Sequence, residues 1–461
     1  MVIIIDRNTS EDMALNGDFH IVDSERIEDT ILNYVLKDEV VVALYPDAYR
    51  RLPRLFDRIK SEGGNPYLYE PISTKYAHVL GSKLLQYYLK MKEKILYKTK
   101  PWKAHYRITL TKKVSRRALL RTPINAIREY IAAPIMSDPI KCESITRCNN
   151  CIMACPNEAL RGKPPEVLIE SCTGCGICMA QCPFDLIVMP GWSTQKIIDA
   201  IDTVRKMCNE ITVIISTRSK AAVIDDILDI VRGLVIVDLV DKVDWVNERI
   251  IIALLMRGAN RIIVYYNPDE EHGQPSFSRL ISQGLPIYLI KSVKELDGIQ
   301  QLLRTHTNQV RPGRIQVNTH TPVKGMIRVT EDCSLCGACE AICPTGAITQ
   351  KMVEDEFMLF FRHDRCVACK LCESVCPHNA LVASYIVDTD MFGKESTLAK
   401  DKIARCRRCG QPLGPMSRIR RLESILREKG HNSKVIESLW LCDKCKEIEY
   451  SMIYTGIIKR E

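Results

Sequence analysis

The middle of the chain alternates between short, continuously apolar runs and amphipathic segments. The apolar runs predict strands over 211–217, 234–240, 261–267 and 286–292, and the segments between and after them predict helices over 220–233, 247–259 and 293–306. A strand that is apolar along its whole length must bury both faces, and alternation with helices is typical of a parallel sheet covered on both sides. We therefore predict an α/β domain over residues 195–310.

A smaller version of the same pattern occupies the N-terminal part of the chain. It predicts a strand over 40–46, a helix over 48–63, a strand over 66–71 and a long helix over 76–98. We expect a small α/β domain with a C-terminal helix over 1–105, followed by a basic connector over 106–136, and we expect both α/β domains to be Rossmann-like. No glycine-rich phosphate-binding motif opens a helix, so neither domain is expected to hold a dinucleotide or a nucleoside triphosphate.

The apolar runs are too short for a membrane protein. A spanning helix needs about twenty apolar residues, and the densest stretch, 249–266, is interrupted by Arg257 and Arg261. The first residues have no basic start before a long apolar run, so no signal peptide is predicted. We expect a cytoplasmic protein, and peripheral association with a membrane complex stays open. In that reducing compartment, 21 cysteines indicate metal or redox chemistry rather than disulfides.

All the cysteines but Cys208 fall into five groups, and Cys208 lies on a predicted helix as a core residue. Four groups end in Cys-Pro. They are Cys142, Cys148, Cys151 and Cys155; Cys172, Cys175, Cys178 and Cys182; Cys333, Cys336, Cys339 and Cys343; and Cys366, Cys369, Cys372 and Cys376. The fifth consists of two pairs, Cys406/Cys409 and Cys442/Cys445.

Four runs that end in Cys-Pro and come in two pairs resemble the bacterial-type two-cluster ferredoxins, so the chain resembles a polyferredoxin. The resemblance implies two modules with two [4Fe-4S] clusters each, over 137–190 and 325–385. It also implies crossed ligation, in which the fourth cysteine of each run binds the neighbouring cluster. The implied ligand sets are Cys142, Cys148, Cys151 and Cys182; Cys172, Cys175, Cys178 and Cys155; Cys333, Cys336, Cys339 and Cys376; and Cys366, Cys369, Cys372 and Cys343.

One run departs from the ferredoxin pattern. The regular position of its first ligand, three residues before Cys148, is Ile145, and the nearest cysteine is Cys142. Either a longer loop lets Cys142 bind the cluster, or the site holds a three-iron or labile cluster. We expect the longer loop, because a four-iron site needs a fourth ligand and Cys142 has no other explanation.

The fifth group predicts a structural metal site over 400–455. Two CxxC knuckles supply four thiolates, which close the tetrahedron around zinc and leave no open position. Rubredoxin-like iron uses the same four ligands and remains the alternative. The arginines around these knuckles are expected to form a solvated basic face or a dock for an acidic partner rather than a nucleic-acid site.

The stretch VDWVNERIIIALLMRGANRIIVYYNPDEEH resembles the delta subunit of methyl-viologen-reducing hydrogenase, an electron-transfer adaptor of heterodisulfide reductase. That family holds a two-iron cluster with cysteines that follow its strands. The corresponding stretches here, STRSK and YYNPDEEH, contain no cysteine, so the resemblance implies no cluster in this domain.

The formal charge of +9 counts every thiol as neutral. Four clusters and one four-cysteine zinc would add about −10, which brings the loaded protein near neutrality and removes the main argument for nucleic-acid binding. We expect a non-catalytic electron-transfer subunit of an oxidoreductase complex. Its expected partners are redox proteins such as hydrogenase or heterodisulfide-reductase-like subunits. The alternative is a catalytic iron–sulfur reductase, or a heterodisulfide-reductase- or hydrogenase-associated subunit, with its own active site.

Overall fold

A computed structural model describes residues 2–13, 15, 18–99, 105–110, 126–145, 147–205, 210–231, 234–266, 277–291, 295, 314–316 and 324–454. The chain divides into two compact units, Met1–Pro312 and Gly313–Glu461. The segments predicted over 1–105, 106–136, 137–190 and 195–310 fall in the first unit, and those over 325–385 and 400–455 fall in the second. Residues 112–121 of the predicted basic connector lie outside the described residues, as do Cys208 and all of the helix predicted over 293–306 except Glu295.

The N-terminal segment forms a four-stranded parallel sheet in the order β2-β1-β3-β4. Its strands are β1 (Val2–Asp6), β2 (His20–Val22), β3 (Val41–Tyr45) and β4 (Tyr69–Ser73), and its helices are α1 (Arg7–Asp12), α2 (Ile27–Val35), α3 (Ala48–Ser61), α4 (Thr74–Leu80) and α5 (Ser82–Thr99). Every residue of β3 and β4 is buried. This burial explains why the strands lack polar alternation.

Two expectations for this segment were wrong in detail. Residues 66–68 form a 3₁₀ turn instead of the start of a strand, because the Asn65 side chain accepts a hydrogen bond from the Tyr67 amide. The long helix predicted over 76–98 is two helices, α4 and α5. They are separated by Gly81, whose φ of +70° belongs to the left-handed region that commonly ends a helix.

The predicted connector contains a strand pair, since β5 (Tyr106–Leu110) and β6 (Ala126–Tyr130) are antiparallel. The first cysteine-rich module follows it. Its elements are β7 (Ile135–Met136), α6 (Pro139–Ser144), α7 (Asn150–Met153), β8 (Leu160–Arg161), β9 (Glu166–Val167), α8 (Ile177–Gln181) and β10 (Ile187–Val188). Strand β10 pairs with β7 and β8 pairs with β9, both antiparallel, so the two cysteine runs are held between short ribbons.

The middle segment forms a second four-stranded parallel sheet, in the order β12-β11-β13-β14. Its elements are α9 (Thr194–Val204), β11 (Ile211–Thr217), α10 (Val223–Leu228), β12 (Leu234–Val240), α11 (Glu248–Arg257), β13 (Arg261–Tyr265), α12 (Ser278–Ser282) and β14 (Ile287–Ile290). Both sheets therefore place their second strand at one edge, beside the first. All residues of β11 and β12 are buried, as their apolar runs predict.

A buried group of charges joins the two sheets. Glu70 on β4 pairs with Lys92 at 2.8 Å and with Lys196 at 3.2 Å, and Lys196 also pairs with Asp238 on β12 at 3.0 Å. Burial raises the pKa of Glu70, but the two lysines outweigh burial and hold the pKa at about 2. Removing one member would leave an uncompensated buried charge, so these charges tie residues 1–105 to the middle domain.

The second unit is built from antiparallel sheets, in the orders β15-β19-β16 and β17-β18-β20-β21. Its strands are β15 (Arg314–Gln316), β16 (Gly325–Val329), β17 (Ile348–Val353), β18 (Glu356–Arg362), β19 (Leu381–Asp388), β20 (Glu395–Arg405) and β21 (Pro412–Pro415), and its helices are α13 (Ala338–Ile342), α14 (Leu371–Ser374), α15 (Met416–Glu428), α16 (Ser433–Ser438) and α17 (Asp443–Tyr454). Strand β20 pairs with β18 and ends one residue before Cys406, so one sheet links the second cysteine-rich module to the last cysteine group.

Within the part of the chain that the structure describes, no helix combines the length and the apolar character that crossing a bilayer requires.

Candidate metal centres

The last cysteine of each Cys-Pro run sits at the start of the same turn. The residue three positions later has a positive φ, and the amide four positions later donates to the cysteine sulfur at 3.3 Å in every case. The donor amides are Ala159 for Cys155, Leu186 for Cys182, Ala347 for Cys343 and Ala380 for Cys376. An N–H that points at sulfur favours the thiolate, which is the form that binds metal.

The sequence carries a signal for this turn that the cysteine spacing alone does not reveal. The left-handed positions are Glu158, Asp185, Gly346 and Asn379, with φ between 48° and 59°. Asp185, Gly346 and Asn379 are of the types that adopt this conformation most readily, and Glu158 is the exception. An alignment of the four runs on their Cys-Pro pairs exposes the position.

The front halves of three runs share a second feature. The residues just before and just after the second cysteine both have positive φ. These pairs are Gly174 and Gly176, Leu335 and Gly337, and Ala368 and Lys370. In the irregular run the residue after Cys148 is Asn149, whose φ is −139°. The longer spacing from Cys142 to Cys148 is therefore accompanied by a different backbone conformation. The sequence predicted the longer loop but not this conformation.

Cavities bring the cysteines together in crossed sets. One cavity is lined by Cys155 with Cys172, Cys175 and Cys178; a second by Cys142, Cys148, Cys151 and Cys182; and a third by Cys376 with Cys333, Cys336 and Cys339. In each case the fourth cysteine comes from the partner run. Cys142 lies in the same cavity as the three cysteines that the longer-loop interpretation assigned to it.

Electrostatics group the cysteines in the same way. Burial, followed by the charges of Cys182, Cys148 and Cys142, raises the pKa of Cys151 to about 12. Burial also raises the pKa of Cys372 to about 12, with added repulsion that is largest from Cys366, Cys369 and Cys343. Four thiolates this close cannot all be ionised without a positive centre between them. The donor sets therefore fit a cationic metal cluster.

The last cysteine group has a tighter geometry. The four sulfurs of Cys406, Cys409, Cys442 and Cys445 all lie within 4.8 Å of one another, and those of Cys409 and Cys442 are 3.6 Å apart. Zn–S bonds of about 2.3 Å in a tetrahedron put sulfurs about 3.8 Å apart, so a single ion fits here. Among the described residues this is the one group of potential ligands that is so compact. No three of the sixteen cysteines in the four Cys-Pro runs come this close together, which leaves the wider spacing that a polynuclear cluster needs.

Backbone amides around this group lower the pKa of one of its thiols, Cys406. Burial opposes ionisation of Cys406, but the amides of Cys442, Cys409 and Arg408 outweigh it and lower the pKa of Cys406 to about 6. The Cys442 amide donates to the Cys406 sulfur at 3.4 Å. A thiolate is therefore favoured near neutral pH, which suits a metal ligand.

The first cysteine-rich module is fastened to the middle α/β domain. The Trp245 indole donates to the Gly174 carbonyl at 3.0 Å, and the Arg249 guanidinium donates to the carbonyls of Met179, at 2.9 Å, and Cys182. The tryptophan and the arginine both belong to the stretch VDWVNERI (243–250). The apolar pattern predicted its helix but not these contacts, since hydrogen bonds to a distant loop leave no periodic signal.

His363, close to a cluster loop, serves the packing of the second unit. The Asp388 amide donates to Nε2 at 2.9 Å, which leaves the proton on Nδ1, 2.9 Å from the Gly325 carbonyl. Both ring nitrogens are thus engaged by the backbone, and burial lowers the pKa of the imidazole.

Two segments of the chain match the family of 4Fe-4S dicluster domains, residues 134–183 and residues 332–380. The matches support two ferredoxin-like iron–sulfur modules. They indicate an iron–sulfur electron-transfer protein, as the cysteine runs predicted. The resemblance of the middle domain to a hydrogenase subunit is not among these matches, and no curated protein matches the chain in sequence.

Proposed function

We propose that the protein relays single electrons through four [4Fe-4S] clusters between partner oxidoreductases. The observation that carries this proposal is the crossed grouping of the cysteines. Each of three cavities takes three cysteines from one run and one from its partner run, and the charge of Cys343 acts on Cys372 in the fourth set. Crossed ligation interlocks two clusters in one small module, which keeps them close enough to exchange electrons. The proposed ligands are the four crossed sets given above.

We propose that the remaining parts of the chain serve as a scaffold for the iron–sulfur modules. The two parallel sheets are proposed to be Rossmann-like scaffolds, and the contacts of Trp245 and Arg249 hold the first module against one of them. The compact group at Cys406 is proposed to hold zinc, because a closed four-thiolate site gives structural support without redox chemistry. The proposed partners are soluble redox proteins in the cytoplasm.

Metal analysis of anaerobically purified protein tests the proposal. We expect about sixteen iron atoms and about one zinc per chain, because four cubanes and one tetrahedral site account for the grouped cysteines. Stepwise reduction followed by electron paramagnetic resonance should then detect single-electron uptake by the clusters. A value of about eight iron atoms or fewer in fully reconstituted protein would contradict the two-module proposal.

Turnover in the absence of partners separates the relay from the catalytic alternative. The relay should accept and release electrons with artificial carriers but should convert no small-molecule substrate. Stoichiometric flavin, or substrate turnover by the isolated chain, would instead support a catalytic reductase.

A further inference from the structure

The irregular cysteine run, Cys142 to Cys155, lacks a backbone feature that the three regular runs share. In those runs, residues with positive φ on both sides of the second cysteine turn the backbone around the cavity. Asn149 does not have this conformation, and three extra residues separate Cys142 from the next ligand. A loop of this kind needs another source of order if Cys142 is to stay in place, because a longer loop has more conformations to lose.

Lys163 supplies that order. Its ammonium group donates to the carbonyl of Ile145 and, at 3.0 Å, to the carbonyl of Cys148. The lysine follows β8, so it reaches the loop from a different part of the module. It is partly buried and lines the same cavity as Cys142, Cys148, Cys151 and Cys182. One side chain therefore holds two described points, Ile145 and Cys148, on the path from Cys142 to the next cysteine.

The charge of Lys163 also acts on the site. Its ammonium group lies 3.0 Å from the Cys148 carbonyl, and the side chain lines the cavity of the four cysteines, so a positive charge stands directly beside the proposed cluster. A cation beside a cluster favours the reduced state, which carries one more negative charge. The described residues that line the neighbouring cavity, with Cys155 and Cys172, include no lysine or arginine. Lys242 donates to the carbonyl of Thr173 in that lining at 3.1 Å, but it is exposed, so solvent screens its charge more than that of the partly buried Lys163.

We propose that Lys163 is the positioning residue of the irregular site: it holds Cys142 as the fourth ligand and makes this cluster the higher-potential one of the first module. An electron that enters the module then rests at this site. The inference relies on the proposed function, since it requires a cluster in the cavity.

Three substitutions separate the two roles of the lysine. Lys163→Gln keeps a donor for the carbonyls but removes the charge, so the four-iron cluster should persist with a lower potential. At the wild-type midpoint we expect the oxidised-to-reduced ratio to rise about tenfold, or about 59 mV for one electron. Lys163→Met removes donor and charge, so oxidised protein should show a three-iron signal. Lys163→Arg should restore the four-iron cluster and most of the potential.

The chain offers two matched controls. Lys141 is exposed and lies next to Cys142 on α6, so Lys141→Met tests whether any nearby surface charge has the same effect; we expect little change because exposed charges are screened. Lys324 donates to the Asp364 carbonyl at 2.6 Å, two residues before Cys366. Lys324→Met should therefore alter the cluster at Cys366, Cys369 and Cys372 in the second module and leave the irregular site unchanged.

Iron content, the three-iron signal and the midpoint potential are the readouts, and Cys142→Ser identifies the signal of the irregular site. If Lys163→Gln and Lys163→Met both match the wild type while that signal is present, the inference is wrong and the proposed function stands. If Lys163→Met fails to assemble the module, the potential of Lys163→Gln decides. If the wild type lacks about four iron atoms and Cys142→Ser changes nothing, the proposed cluster at this site is itself wrong.

Discussion

At the residue scale, the fourth cysteine of each run has two features that distinguish it from the other three. It accepts a hydrogen bond from the amide four residues later. It also groups with the cysteines of the partner run, through a shared cavity in three runs and, for Cys343, through its charge. Cys376 lines the cavity of Cys333, Cys336 and Cys339. Cys343 instead raises the pKa of Cys366, after the larger effect of burial. A substitution at either position should therefore act on the distant cluster.

Cys343→Ser tests this exchange. We expect loss or conversion of the cluster at Cys366, Cys369 and Cys372, because serine is a poor ligand for iron and only three thiolates remain. Paramagnetic resonance of the reduced variant should show about one of the four clusters changed. Cys376→Ser is the reciprocal control and should change the cluster at Cys333 instead. If each variant damages only the cluster of its own run, the crossed assignment is wrong.

At the element scale, the loop before α8 and the loop before α13 have the same backbone but different surroundings. Gly176 and Gly337 occupy equivalent positions, with φ of +78° and +83°. A Cβ on Gly176 would lie 2.6 Å from Cδ1 of Trp245, whereas a Cβ on Gly337 would meet the flexible Gln350 side chain at 3.3 Å. The contact between the first module and the middle domain thus requires glycine at position 176, because a side-chain methyl group there would overlap the Trp245 indole.

Gly176→Ala and Gly337→Ala form a matched pair for this contact. Both should pay about 1–2 kcal/mol for a left-handed alanine. Only Gly176→Ala should lose about 1–3 kcal/mol more, because the indole must move to admit the methyl group. Thermal or chemical unfolding of the loaded protein measures the difference in the free energy of unfolding. Equal losses in the two variants would show that the tryptophan yields without cost.

At the scale of the whole molecule, each of the two compact units contains several of the segments that sequence patterns predict as domains. The middle domain shares buried ion pairs with the N-terminal one through Glu70, Lys92 and Lys196. In the second unit, strand pairing between β18 and β20 joins the second cysteine-rich module to the C-terminal metal site. Cooperative folding should therefore follow the boundary near residue 312.

Two fragments test this boundary. Residues 313–461 should fold alone and hold about eight iron atoms and about one zinc, since their proposed ligands all lie within the fragment. Residues 195–312 should not fold cooperatively, because the buried Lys196 loses Glu70, its partner in the N-terminal segment, at a cost of about 3–5 kcal/mol. Circular dichroism and metal analysis provide the readouts. A stable, cooperatively folded 195–312 fragment would show that the buried charges are dispensable.

The local patterns of the sequence determined the strands, the helices and the type of chemistry. Continuous apolar runs predicted β11, β12 and β13 because a strand buried on both faces leaves no polar alternation. The Cys-Pro runs predicted iron–sulfur modules because ligand spacing is a local property of a tight loop. The same reasoning failed at residues 66–68 and at Gly81, where a single capping or left-handed residue overrides the apolar pattern.

Only the tertiary structure decided what depends on distant residues. Lys163 reaches the loop of Cys142 from across the module, and Trp245 fixes a cluster loop from another domain. Neither contact leaves a periodic trace, because hydrogen bonds between remote segments require no particular spacing. The pairing of Lys196 with Glu70 likewise depends on how two sheets pack. The sequence determines which groups can bind metal, and packing determines which backbone and charges surround them.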